Sequence, residues 1–176
     1  PLSNIPLKLP PLRKLIEALL GIDARARFPA FSRQTFRRWF QRRKAGAPLI
    51  GFRKVVFFHG CAANYYEPRV GQAAIAVLER NQIKVSIAEQ NCCGLPMQSN
   101  GDFASARAYA RSNIRKLAPW VREGYVIVGT STSCTLALKH EYHSILGLTG
   151  EEADLVADNT YDIFEFLEML DEAGQL

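Results

Sequence analysis

Four cysteines, Cys61, Cys92, Cys93 and Cys134, stand where their chemistry can combine. Cys61 follows the apolar run Lys54–Phe58. Cys92 and Cys93 follow Ile83–Ala88 in the tripeptide Cys92-Cys93-Gly94, and Cys134 follows Tyr125–Val128. If the three runs are parallel strands, all four sulfurs gather at the carboxyl edge of one sheet, where open α/β sheets place their ligands. Four converging thiolates suit a soft metal or an iron–sulfur cluster.

The residues around each cysteine fit that chemistry. Cys61 opens the loop Gly60-Cys61-Ala62-Ala63-Asn64, and Gly94 lets the backbone fold closely after Cys93. Cys134 ends the run Thr130-Ser131-Thr132-Ser133, whose hydroxyls can cap a following helix and donate to sulfur. The residues alone leave two other readings open: a tetrahedral Cys₄ zinc site, and buried structural cysteines. Thiol–disulfide exchange at Cys92-Cys93 is a further reading. His59 adjoins Cys61 as a hydrogen-bonding neighbour, a zinc ligand or a packed strand-end residue. Tyr65, Tyr66, Met97 and Gln98 flank the same loops, whereas His140 and His143 read as a solvated helix face.

The elements that must position these residues alternate. Helical spacing is expected over Val70–Asn81, Gly101–Leu117, Cys134–Leu146 and Tyr161–Leu170, with strands over Lys54–Phe58, Ile83–Ala88 and Tyr125–Val128. Asp102 is placed to favour the start of the second of these helices. This alternation predicts an α/β fold, a parallel sheet built from βαβ units with flanking helices. A basic helical arm, residues 1–50, precedes a cysteine-bearing domain, residues 51–176. In the arm, Leu12–Leu20 has helical spacing stopped by Gly21. A second helix is expected over residues 33–44, with Ser32 as its N-cap and Gly46 and Pro48 beyond it. Phe36, Trp39 and Phe40 form an aromatic stripe on that helix among Arg33, Arg37, Arg38, Arg42, Arg43 and Lys44. Docking of this stripe on a further domain or partner subunit is the first reading. Contact with an anionic membrane surface, nucleic-acid binding and packing on the chain's own core are the others.

The chain has 176 residues, 48% apolar and 22% charged, enough for one domain with a real core. Its net charge of +5 is uneven. Residues 1–50 hold 11 Lys and Arg against Glu17 and Asp23, while residues 51–176 hold 11 basic and 15 acidic side chains. The start, Pro1-Leu2-Ser3-Asn4, has neither an initiator Met nor a signal-peptide pattern. The expectation is a piece of a longer protein in a reducing, cytoplasmic setting, where cysteines serve as ligands rather than disulfides. No hydrolytic triad stands out, and Gly60-Cys61-Ala62-Ala63 does not meet the dinucleotide fingerprint.

The runs Phe58-His59-Gly60-Cys61, Cys92-Cys93-Gly94-Leu95-Pro96 and Thr132-Ser133-Cys134-Thr135-Leu136-Ala137-Leu138 resemble the cysteine-rich CCG domain family. That family occurs in heterodisulfide reductase, in glycolate oxidase iron–sulfur subunits and in anaerobic glycerol-3-phosphate dehydrogenase. The wording is most similar to the last, together with Asn64, Tyr65, Pro68 and the segment Phe36-Arg37-Arg38-Trp39. The resemblance implies an electron-transfer subunit without hydride or carbon chemistry of its own. Such a subunit passes electrons from a flavoprotein that oxidises a small hydroxy compound toward membrane quinone, at the inner face of the cytoplasmic membrane. It implies Cys61, Cys92, Cys93 and Cys134 as ligands of an iron–sulfur cluster, [4Fe–4S] by ligand count, with zinc as the alternative. The implied partners are the flavoprotein subunit, a ferredoxin-like domain and a second CCG domain, with no nucleic acid. The full family motif ends in CxxC; here Ala137 stands at its last position, leaving four cysteines instead of five.

Overall fold

The run Lys54–Phe58 forms strand β1 at the centre of a sheet in the computed structural model, which describes residues 2–43 and 53–176. The other strands of the sheet are β2 (Lys84–Ser86), β3 (Tyr125–Gly129) and β4 (Thr160–Asp162). The order is β2-β1-β3-β4, with every pairing parallel. Val55, Val56, Phe57 and Phe58 are all buried, as expected of a parallel strand covered on both faces. The α/β architecture expected from the alternation is therefore present.

Side-chain alternation assigns the two faces. Val56, Phe58 and Ile127 pack toward α6 (Phe103–Arg122), α9 (Glu151–Asp158) and the helical stretch after Cys134. Val55, Phe57 and Val128 pack toward α3 (Phe36–Arg42), α4 (Pro68–Arg80) and α10 (Ile163–Glu172). After β1 the chain visits β2 on one side of the sheet and then returns to β3 on the other. The carboxyl ends of β1 and β3 thus flank a topological switch point, where open sheets leave a crevice.

The arm consists of α1 (Ile5–Lys8), α2 (Pro10–Leu20) and a return loop. Gly21 ends α2 in the left-handed conformation, φ 70°, as its position predicts. Arg13 holds the return loop. Its guanidinium donates to the carbonyls of Leu7 (3.1 Å), Ala24 (2.5 Å) and Ala26, and lies 5.3 Å from the Phe28 ring centre. No residue of α1 or α2 is buried, and Leu12, Leu15, Leu19 and Leu20 are exposed. The arm meets the body where the Ser32 amide donates to the Tyr65 carbonyl (2.7 Å) and Phe31 packs on Tyr66.

Three expectations change. The second arm helix begins at Phe36, not at residue 33. Thr35 is its N-cap, its hydroxyl accepting from the Arg38 amide (3.2 Å), whereas the Ser32 hydroxyl donates to the Gln34 carbonyl. The aromatic stripe packs on the chain's own core. Phe36 is fully buried between Phe57 (ring centres 5.4 Å apart) and His59 (5.5 Å), over Gly71, where an added Cβ would fall 2.6 Å from the ring. Tyr161 belongs to β4, and the closing helix α10 starts at Ile163 behind a capping box of Asp162 and Glu165. A β-branched Thr160 beside an aromatic Tyr161 is strand material, although three residues are too few to show alternation. The expected end of the helix at Lys44, the breaks at Gly46 and Pro48, and the boundary at residues 50–51 lie outside the described residues.

Candidate functional site

Three loops bring the cysteines to the carboxyl edge of β1, β2 and β3. After β1 the chain turns at Gly60, φ 61°, and a Cβ there would sit 3.1 Å from the Cys134 Sγ. Glycine at this position lets the β1 loop lie directly against the sulfur that follows β3. Cys61 then leads into a π-helical turn, Ala62–Tyr66. Cys134 sits in α7 (Thr132–Leu136), which runs into a second π-helical turn, Ala137–Glu141, and then α8 (Tyr142–Ser144). Wide turns of this kind cluster at functional sites because they displace side chains that a regular helix would stack. Cys92 and Cys93 lie in the loop after β2, ahead of α5 (Leu95–Ser99). Gly94 there adopts φ 94° with its Cα side against the Ala106 carbonyl of α6.

Polar side chains fix these loops to one another. Gln90 bridges two of them: its Oε1 accepts from the Gly60 amide (3.3 Å) while its Nε2 donates to the Phe57 carbonyl (3.1 Å). Asn113, fully buried on α6, accepts from the Asn91 amide (2.8 Å) and donates to the Cys92 carbonyl (2.9 Å) and the Tyr142 hydroxyl (3.2 Å). The Tyr142 hydroxyl in turn donates to the Cys93 carbonyl (2.9 Å). The Cys92–Cys93 segment is thereby held through its backbone carbonyls. Sequence reasoning missed Gln90, Asn113 and Tyr142. Asn113 left a signal: it is the polar member of the apolar stripe Ala106, Ala110, Ile114 and Leu117. Tyr142 left none, because at the spacing Leu138–Tyr142–Leu146 it reads as ordinary core.

All four cysteines are free. Cys61 and Cys92 are half-buried; Cys93 and Cys134 are buried. The thiols face one another in series, Cys61 to Cys92, Cys92 to Cys93 and Cys93 to Cys134. This series divides their acidities. The Cys93 thiol and the amides of Cys93 and Gly94 bring Cys92 down to about 6, and Cys93 with the Ser131 hydroxyl brings Cys134 to about 7, both against the opposing effect of burial. Cys93 is pushed far up, because its proton serves Cys134 and Cys92 together and because it is buried. Burial and the neighbouring Cys92 raise Cys61. Two ready thiolates with a protonated thiol between them make an electron-rich, soft donor set.

His59 is buried beside Phe36. Its Nδ1 lies 2.8 Å from the Gly60 carbonyl, which only a protonated nitrogen can satisfy, and among the described residues its buried Nε2 has no partner. Burial lowers its pKa, so the ring is neutral. Tyr65 is exposed on the turn after Cys61, and Tyr66 packs against the arm. Gln98 donates to Glu141 (3.2 Å) and Met97 packs on the core. His143 pairs with Asp154 (2.9 Å) and His140 is exposed, as a solvated face requires. The sequence analysis expects the four sulfurs at one sheet edge, and the thiols are neighbours there. Among the described residues, no three Cys, His, Asp or Glu side chains are grouped so as to hold a single metal ion.

Residues 55–139 match the family described as cysteine-rich domain, CCG. This segment is a CCG cysteine-rich domain. Its span runs from the second residue of β1 to the turn after Cys134 and contains all four cysteines. The chain is 36% identical over 151 residues to a subunit of the anaerobic glycerol-3-phosphate dehydrogenase of Escherichia coli (strain K12), covering 84% of this chain and 38% of that one. It is 34% identical over 118 residues to lactate utilization protein A of Halalkalibacterium halodurans, covering 65% and 46% of the two chains. The protein of the same name from Bacillus cytotoxicus is 31% identical over the same length. The chain spans less than half the length of these relatives. No solved structure matches it. The relatives are thus named for glycerol-3-phosphate dehydrogenase and for lactate utilization. In this chain α3 packs against the CCG domain.

Proposed function

We propose that this chain is an iron–sulfur electron-transfer domain of a glycerol-3-phosphate or related hydroxy-acid dehydrogenase complex. It takes electrons from a flavoprotein subunit and passes them toward membrane quinone. The observation that carries this reading is the meeting of four free thiols, from three separate loops, at the switch point of the sheet. The donor set fits the group in its chemistry: thiols only, with Cys92 and Cys134 already acidic. Cys61, Cys92, Cys93 and Cys134 would hold the cluster. When bound, an iron–sulfur cluster supplies a one-electron acceptor and donor whose potential depends on charge, hydrogen bonds and solvent exposure. The chain's own residues set those surroundings. Gln90, Asn113 and Tyr142 hold the loop backbones, neutral His59 adds no charge, and burial of Cys93 and Cys134 excludes water.

The arm has a place in the same scheme. The exposed leucines of α2 beside Lys8 and Lys14 form a basic amphipathic surface suited to the anionic inner face of the cytoplasmic membrane. The ferredoxin-like and second CCG domains of the parent protein, and its flavoprotein subunit, complete the electron path.

The test is analysis of iron, zinc and acid-labile sulfide in anaerobically purified protein. About four iron and four sulfide per chain is the expected result for a cubane held by four cysteines. Substituting Cys93→Ser or Cys134→Ser is expected to abolish the associated visible absorption. One zinc and no sulfide would instead make this a zinc-stabilised assembly module, with electron transfer left to other domains.

A further inference from the structure

Helix α3 lies outside the span that matches the CCG family, yet it borders the cysteine edge, and its two faces differ sharply in use. Phe36, Trp39 and Phe40 point inward onto the core. Arg43 follows them, its guanidinium 4.0 Å from the Phe40 ring centre and paired with Glu79 at 2.6 Å. The outward face carries Arg37, Arg38, Gln41 and Arg42. With Thr35, Asn64 and Tyr65 these four line a shallow, open cleft that, among the described residues, holds three guanidinium groups and no carboxylate. Arg37 has a long contact with Glu89 (3.4 Å); among the described residues neither Arg38 nor Arg42 has an ion-pair partner.

The cleft is joined to the cysteine site by direct bonds. The Arg37 amide donates to Asn64 Oδ1 (3.0 Å), and Asn64 and Tyr65 lie on the turn that starts at Cys61. Glu89, on Arg37, precedes Cys92 by three residues. The cationic cleft thus flanks the two half-buried cysteines, the sulfurs nearest to solvent.

We infer that this cleft is a docking site for a carboxylate-bearing protein surface, placed to bring a redox partner against the Cys61 and Cys92 end of the domain. The inference rests on the electron-transfer reading above and names the partner's chemistry and its place of contact. One feature favours a protein over a lipid surface, and two more suit a carboxylate-bearing partner. The apolar side of α3 is consumed by the core, so the helix has nothing to insert between acyl chains. Planar guanidinium groups match carboxylates in two-bonded geometry, and the cleft is too open to enclose a small ligand. Residues 51–176 carry an excess of four acidic side chains, so a local cluster of cations at one end makes a charge contrast that orients an acidic partner.

The test uses the full chain and a polyglutamate peptide of about twenty residues as the carboxylate probe, with binding followed by fluorescence anisotropy. The paired substitution Arg38→Gln/Arg42→Gln is expected to weaken peptide binding about tenfold at low salt. Lys8→Gln/Lys14→Gln, which removes the same charge from the arm, should change it less than about twofold, and the difference should vanish near ~0.5 M salt. Equal losses in the two pairs, or none in the α3 pair, would overturn the proposal. So would an α3 pair that loses binding to anionic lipid vesicles but keeps the peptide, since the cleft would then belong to a lipid surface. None of these readouts depends on bound iron. A chain with zinc and no sulfide, but with intact α3-dependent peptide binding, would sink the electron-transfer reading and leave the docking site standing.

Discussion

Cys93 is the pivot of the site at the scale of single residues. Buried between Cys92 and Cys134, it keeps its proton, and that proton lets each neighbour ionise near neutrality. The consequence is a distinct pH dependence in the metal-free chain. A thiolate alkylates and a thiol does not, so reactivity rises as pH climbs through each group's own pKa. Cys92, half-exposed and titrating at about 6, is expected to be the first cysteine modified by iodoacetamide at pH 7. Its rate should fall about tenfold between pH 7 and pH 5, where its proton returns. Cys61, held above the ordinary thiol value, should respond only in alkali, and Cys134 should lag because it is buried. Mass-spectrometric mapping of alkylation against pH checks this ordering; modification of Cys61 before Cys92 at pH 7 would refute it.

The elements divide into those that build the cysteine edge and one that is only attached. Helix α3 belongs to the first group, since Phe36 fills the space between Phe57, His59 and Gly71. Phe36→Ala should cost about 3–5 kcal/mol in urea unfolding, the range for emptying a buried aromatic site. On α2, Leu15→Ser and Leu19→Ser should each stay within about 0.5 kcal/mol, because neither residue is buried. A small loss at Phe36 would show that α3 is separable from the domain. Both helices carry an apolar stripe and several cations in sequence, and nothing local distinguishes them. The difference lies in complementary surface: α3 finds the Gly71 hollow on α4, while among the described residues no side chain of the α2 stripe is buried.

Charge is arranged across the whole molecule with the positive end in the arm and α3 and the negative excess in the domain behind them. No helix among the described residues is long and apolar enough to cross a membrane. The bilayer contact proposed above is placed on the surface of α2. The full chain should sediment with vesicles rich in anionic lipid and not with zwitterionic ones. Leu15→Ser/Leu19→Ser should weaken that binding about tenfold or more by removing buried apolar area. Unchanged sedimentation of this variant would remove α2 from the membrane reading. Together with the polyglutamate measurement, this tests whether the two cationic surfaces serve two different partners.

The sequence by itself determined the parallel α/β order, because strands and helices announce themselves through short periodicities. It also determined that the cysteines fall at one sheet edge, because each follows a strand directly and parallel strands share a carboxyl end. The CCG wording around Cys61, Cys92 and Cys134 was legible for the same reason: it is local. Tertiary structure alone decided which thiols are neighbours, and hence that Cys93 holds its proton while Cys92 and Cys134 release theirs. It alone decided that Asn113 and Tyr142 grip the Cys92–Cys93 backbone, and that α3 buries Phe36 where α2 buries no residue. Each of these depends on contacts between segments far apart in the chain. A periodicity shows that a helix has an apolar face but carries no information on which surface will meet it.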